Sequence, residues 1–467
     1  TLFRIETENV AFNVYSGLTT FDPQTGEPLP DLAESWQISP DATTYTFKLV
    51  ENATWHQGFG KVTSADVKYS YERILEPKTG SPYRAEFGNI ASIETPTEYS
   101  VAIHLNKPDS NFLYQVGNYH QGQIVKKEAI EKYADQYPRN PVGSGPFALK
   151  EWVANSHIIL EAHPTYFKGP PLLQRIRMNL IKDVDAAATA LSNGEVDLAM
   201  NVGTSTETLQ RLMNANRFAL HKSEDYAVNL WIMNPDYPPL ADVRVRQAIA
   251  YAVDNDAIAT RLTPYTGKSH NSILPAFMPV YASGLPTYPY DPARAKTLLT
   301  EAGYANGFAV TQILTSTGGV TPDLLMRQAM LAEVGINLQF ELMETAIWNK
   351  RRNSGDYQMT GRLYPAVNPD MLLFGYLHPD NIVPKGLNGA KYSNPALTSE
   401  LEAARAELNA TERTRHYAAV QRIAQTDVPY LPIQSATVWW AGQPWIKNVK
   451  VDKLAVVNYF PVYLEEH

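Results

Sequence analysis

The sequence predicts an α/β protein built as two lobes. Three observations carry that expectation. At 467 residues the chain exceeds what one ordinary core organises. Its texture changes near residue 225, from short strands and turns to longer alternations of strand and helix. No Pro/Gly/Ser-rich linker separates the two halves, so a packed hinge is expected in place of a flexible tether.

Taken in order, the opening Thr1-Leu2-Phe3-Arg4-Ile5 alternates like a strand. Residues 45–49 and 100–105 alternate polar and apolar with the two-residue period of half-buried strands. Residues 64–75 switch to helical spacing, with Val67, Tyr71 and Ile74 on one face and Thr63 or Ser64 placed to cap. A helix beginning near Asp183 stops at Asn193-Gly194 and leads into a strand at 196–200. Beyond Tyr226 come a strand (226–233), the turn-rich 234–239, and helices at 243–253 and 293–302. A strand (309–315), a helix (322–334) and a strand (337–343) then form a β-α-β unit that implies a partly parallel sheet. Residues 401–426 carry helical spacing, with Thr411 expected to cap the helix that contains His416.

Composition narrows the function class. A formal charge of −8 with no basic run longer than three residues disfavours nucleic-acid binding, which rests on clustered Lys and Arg; Lys350-Arg351-Arg352 is read as a solvated helix end. The absence of cysteine excludes disulfides, Cys-zinc sites and thiol nucleophiles, and suits an oxidising compartment. The 27 Tyr and 8 Trp supply many amphipathic rings for pockets. No 18-residue apolar window is present, and a signal peptide, if encoded, lies outside this sequence.

Enzyme motifs are missing. The ten His show no His-Glu-x-x-His pattern, and no cofactor is expected. Gly143-Ser144-Gly145 resembles a nucleophile elbow only superficially, because Pro146 opposes the helix that should follow. Gly58-Phe59-Gly60-Lys61 lacks the remaining glycines and hydroxyl of a phosphate loop. A hydrolase, the alternative of another class, would need a convergent nucleophile and base that the sequence does not display.

Nine short motifs occur in order along nearly the whole chain. They are Tyr15-Ser16-Gly17-Leu18 with Pro30-Asp31-Leu32-Ala33-Glu34-Ser35-Trp36; Thr46-Phe47-Lys48-Leu49; Thr63-Ser64-Ala65-Asp66-Val67; and Gly143-Ser144-Gly145-Pro146-Phe147. Asn193-Gly194-Glu195-Val196-Asp197, Val243-Arg244-Val245-Arg246-Gln247-Ala248, Tyr290-Asp291-Pro292 and Glu301-Ala302-Gly303-Tyr304 follow. By these the chain resembles the family-5 extracellular solute-binding proteins, the dipeptide, oligopeptide and nickel receptors of ABC importers. Most of the motif residues read as scaffold: Trp36 as a buried ring, Asp66 as a helix-start carboxylate, Arg246 as a helix-surface cation.

The resemblance implies a type II, two-lobe periplasmic-binding-protein fold with paired crossover strands and a ligand cleft between the lobes. Lobe I would span 1–225 with an inserted subdomain at about 35–165, completed by 436–467; lobe II would span 226–435. It implies a non-enzymatic, monomeric receptor, periplasmic or extracellular and lipid-anchored. Its partners would be membrane permease subunits and a small solute, with no nucleic acid. Peptide is the leading ligand class, with a nickel chelate, an oligosaccharide or an opine-like conjugate as alternatives.

For the ligand contacts, peptide receptors of this family hold the peptide amine by a carboxylate after Gly-Trp-x-x-Asp. The corresponding stretch here is Gly361-Arg362-Leu363-Tyr364-Pro365, in which Arg362 replaces Trp and Pro365 replaces Asp. Asp370 or Glu8 could meet a ligand cation, although Asp370, following Asn368-Pro369, also suits a helix cap. The guanidinium fork of Arg362, beside Tyr364 and with His378 nearby, suits a ligand carboxylate, or else a salt bridge within a strand. Tyr119, His120, Tyr83, Trp439 and Trp440 are the remaining candidates, the Trp pair either stacking on ligand or packing the hinge. The Leu-Asp-Pro that usually precedes the first helix is missing, Glu6-Thr7-Glu8-Asn9 leading straight into Val10.

Overall fold

Alternation in the strand Thr44–Leu49 puts Tyr45, Phe47 and Leu49 on one buried face and Thr46 and Lys48 toward solvent. That strand sits inside a four-stranded antiparallel sheet ordered Ala33–Ile38, Thr44–Leu49, Ser100–Leu105, Ile90–Thr97. The helix Ser64–Leu75 covers it, burying Val67 and Tyr71, and Phe87 stacks on Tyr71 with ring centres 5.0 Å apart. The computed structural model describes residues 5–81, 83–84, 86–118, 121–365 and 368–466.

The chain divides into two compact units. The first comprises Thr1–Ser223 with Ala406–Leu408 and Val438–His467; the second comprises Glu224–Arg405 and Asn409–Thr437. Two long strands, Ala219–Met233 and Tyr430–Gly442, carry the chain out of the first unit and back.

In the first unit the opening segment differs from the strand-like expectation: Ile5 already begins the helix Ile5–Val14, and residues 1–4 lie outside the described residues. The C-terminal return is sewn to this helix. Asn13 donates to the Val457 carbonyl (2.8 Å) and accepts from the Tyr459 N–H (2.9 Å), while Asn9 accepts from the Val457 N–H (2.9 Å). A buried Asn survives there because both ends of its amide are matched to backbone.

The second unit is a mixed sheet. Phe308–Thr315 pairs in parallel with Ile336–Met343 across the helix Pro322–Glu333, giving the expected β-α-β unit. Met359–Pro365 adds in parallel to Phe308–Thr315 and antiparallel to Ala219–Met233. Apolar clusters pack on this sheet: one holds Leu230, Ile313, Leu373, Tyr376 and Tyr417, the other Trp231, Ile249, Leu298, Val310 and Leu338.

Two local expectations need correction. Residues 401–426 form two helices, Pro395–Ala406 and Ala410–Asp427, and the cap of the second is Asn409. Its side chain accepts from the N–H groups of Thr411 and Glu412, which places Thr411 inside the helix. Arg246 is no surface cation: its guanidinium donates to the carbonyls of Asp427 (2.6 and 2.9 Å), Leu240 (2.9 Å) and Ala241 (2.9 Å), joining two helix ends. Burial pulls its pKa below the ordinary arginine value.

Candidate functional site

Several motifs that carry the family resemblance build scaffold. Asp66 is buried at the start of its helix, accepting from the Thr63 N–H (2.9 Å), the Trp55 indole (3.3 Å) and the Lys126 ammonium (2.9 Å). Gly143 and Gly145 lie against the end of the first helix so closely that a Cβ on Gly143 would sit 2.0 Å from the Val14 carbonyl oxygen. Two imidazoles clamp this loop: His56 Nδ1 accepts from the Gly143 N–H (3.3 Å), and both His56 Nε2–H (2.9 Å) and His163 Nδ1–H (3.1 Å) donate to the Gly145 carbonyl. Burial holds the His56 pKa down to about 4, so it is neutral at pH 7. Ser144 is fully buried and its hydroxyl has no hydrogen-bond partner among the described residues. Among the described residues no general base is hydrogen-bonded to it, as a nucleophile would require.

Among the predicted contact residues, Asp370 is 2% exposed and engaged. Arg405 forks onto it from Nη2 (2.6 Å) and Nε (2.9 and 3.0 Å) while its guanidinium carbon lies 3.3 Å from the Phe374 ring centre. The helix cap beside it is Asn368, which accepts from the N–H groups of Asp370 and Met371 at the start of the helix Pro369–Leu377. His378 ends that helix. It is buried, stacks on Phe374 (4.0 Å, 13°) and accepts from the Asp380 N–H (3.2 Å), the arrangement of a structural ring.

In the first unit Trp440 is fully buried in its strand, whereas the face of Trp439 is half-buried and meets the Lys222 ammonium at 5.3 Å. Tyr83 and Glu8 are buried in a cluster with Glu86 and Gln121; Gln121 donates to Glu86, and the charges of Glu86 and Glu8 add to burial in raising the Tyr83 pKa. Burial also lifts Glu86 to about 7. Tyr119 and His120 lie outside the described residues, and Tyr364 is described only through its backbone, opposite Val228 in the strand pair.

Arg362 sits half-buried on the strand Met359–Pro365, its guanidinium carbon 5.4 Å from the Tyr376 ring centre. Beside it the structure places Arg352, which the sequence reading assigned to a solvated helix end. Lys350 is exposed as expected, and the half-buried Arg351 pairs with the exposed carboxylates of Glu341 (2.7 Å) and Asp356 (3.0 Å). Arg352 turns inward onto Trp348, 4.5 Å from the ring centre. Burial first, and the charge of Arg362 second, bring its pKa down to about 10. The clue in the sequence is the i,i+4 spacing of Trp348 and Arg352, which puts them on one helix face.

Residues 27–382 match the model of bacterial extracellular solute-binding proteins, family 5 Middle. A Brucella ovis protein named as a candidate ABC transporter peptide-binding protein is 31% identical over 453 residues, 94% of this chain and 84% of the relative. The structure of the Helicobacter pylori ABC transporter-associated periplasmic binding protein DppA, in complex with peptide STSA, matches with a TM-score of 0.88. It is 27% identical, over 99% of this chain and 94% of that one. The A. tumefaciens R10 protein AgaA, in complex with agropinic acid, matches with a TM-score of 0.87 and 27% identity, over 100% of this chain and 96% of that one. The fold is the two-lobe periplasmic-binding-protein fold.

Proposed function

Because the chain belongs to the family-5 bacterial extracellular solute-binding proteins, we propose that it is the substrate-binding component of an ABC importer. In this reading two lobes close over a di- or oligopeptide and deliver it to permease subunits in the membrane. The observation that supports the peptide assignment is the likeness, over nearly the full length of both chains, to a neighbour in complex with a peptide. The protein acts as a monomeric receptor in the periplasm or, lipid-anchored, outside the cell, and turns over no substrate. The buried, base-free Ser144 supports that last point.

A second reading, capture of an opine-like conjugate, is favoured by Arg362 standing where peptide receptors carry Trp, and by the neighbour in complex with agropinic acid. Native mass spectrometry of the purified protein, followed by denaturation and identification of whatever is released, separates the two. A heterogeneous set of short peptides is the expected result; a single sugar conjugate or metal chelate would reject peptide as the natural ligand.

A further inference from the structure

Arg362 lies against the Tyr376 ring in the second unit, and the charges of Arg352 and Arg362 both act on that phenol and on each other. Among the described residues Arg352 has no carboxylate partner. Its hydrogen bonds go to the side chain of adjacent Asn353 at 3.3–3.4 Å, and the other groups bearing on its charge are Arg362 and the phenols of Tyr376 and Tyr357. Two half-buried guanidiniums within range of each other's charge repel, and burial strengthens that repulsion.

The walls add neutral donors. Tyr376 is fully buried with both guanidiniums acting on its phenol, yet its hydroxyl has no hydrogen-bond partner among the described residues; the Tyr357 hydroxyl, by contrast, donates to the Gly389 carbonyl at 2.9 Å. Thr360, two residues before Arg362 and so on the same face of the strand, is also fully buried with an unpartnered hydroxyl. A buried polar atom left unmatched is costly, so an unmatched phenol under two positive charges describes a site adapted to something else.

We infer that Arg352, Arg362 and the Tyr376 hydroxyl form an anion subsite in the second unit that takes a carboxylate of the captured solute. The planar forks match a carboxylate's two oxygens, and the ring stacking against Trp348 and Tyr376 holds them oriented before ligand arrives. The inference rests on the solute-capture reading and deepens it: a free carboxylate becomes part of what the receptor requires. A peptide C-terminus and the acid group of a sugar conjugate both supply that chemistry.

The test compares acids with their amides by titration calorimetry, using tri-alanine against tri-alaninamide and mannopinic acid against its diamide. The wild type should bind one acid at least about tenfold more tightly than the matching amide. Arg352→Gln should abolish most of that preference, and so should Tyr376→Phe, which removes a hydroxyl with no protein partner and leaves the fold intact. Preference for tri-alanine identifies a peptide terminus as the source; preference for mannopinic acid identifies a conjugate. Equal binding of acid and amide, failure of both acids to bind, or an acid preference untouched by Arg352→Gln overturns the anion subsite. The capture reading fails separately, if native mass spectra show that the protein takes up no small solute of any kind.

Discussion

Replacing Arg405 by Met isolates the energetic role of Asp370, the carboxylate nearest the stretch where peptide receptors hold an amine. Three donor contacts of 2.6–3.0 Å end on Asp370, and the carboxylate is almost wholly shielded from water. Removing the partner leaves a buried charge without its counter-ion, which typically costs 3–5 kcal/mol. The Arg405 side chain is 26% exposed, so water can enter the vacated space, and about 3 kcal/mol is expected. Loss of stacking on Phe374 adds a few tenths to about 1 kcal/mol. Asp370→Asn alone should cost less, because the amide removes the buried charge, and the double variant should be more stable than Arg405→Met by itself. Urea unfolding followed by tryptophan fluorescence gives the four corners of this cycle. A coupling energy below about 0.5 kcal/mol would refute the argument that the pair is a structural clamp. So would an Asp370→Asn protein that keeps its stability and loses its ligand, since that pattern belongs to an amine anchor.

Two further expectations concern pH. Burial, opposed by the N–H groups of Val456 and Leu454, raises Asp452 to about 7, so the stability it contributes is complete below about pH 4 and is lost as pH rises through 7. Asp452→Asn keeps the acceptor and should melt higher than wild type at pH 8, by up to roughly 4 kcal/mol of stability, with the gap closing toward pH 4; a pH-independent gap would contradict this. His56 runs the other way. Its depressed pKa means that its contribution is complete above about 6.5 and is lost as pH falls through 4, up to about 3 kcal/mol in all. The melting-temperature deficit of His56→Gln should therefore shrink between pH 7 and pH 4.5, and a deficit that grows in acid would disprove a neutral clamp.

The fold was legible because local chemistry and global packing agree over long stretches. The helix Ser64–Leu75 is announced by its capping residues and its apolar spacing, and the parallel strands Phe308–Thr315 and Ile336–Met343 are joined by a helix with clear ends. At the helix Ala410–Asp427 the spacing pointed to Thr411 as the cap, and the backbone took Asn409 instead. The site was less legible for a physical reason. A charged residue is read by default as solvated, and a single step along the helix separates Arg351, which pairs with two exposed carboxylates, from Arg352, which turns onto an indole. What distinguishes them is the partner each finds across the fold, and that is set by a strand and a helix ten to twenty-four residues further on, bearing Arg362 and Tyr376. Sequence reading selected Arg362 because it interrupts a family pattern; it could not select Arg352, which interrupts nothing. Buried like charges and unmatched hydroxyls are costly to keep, so their coincidence around one point is a stronger guide to function here than any single residue substituted within a motif.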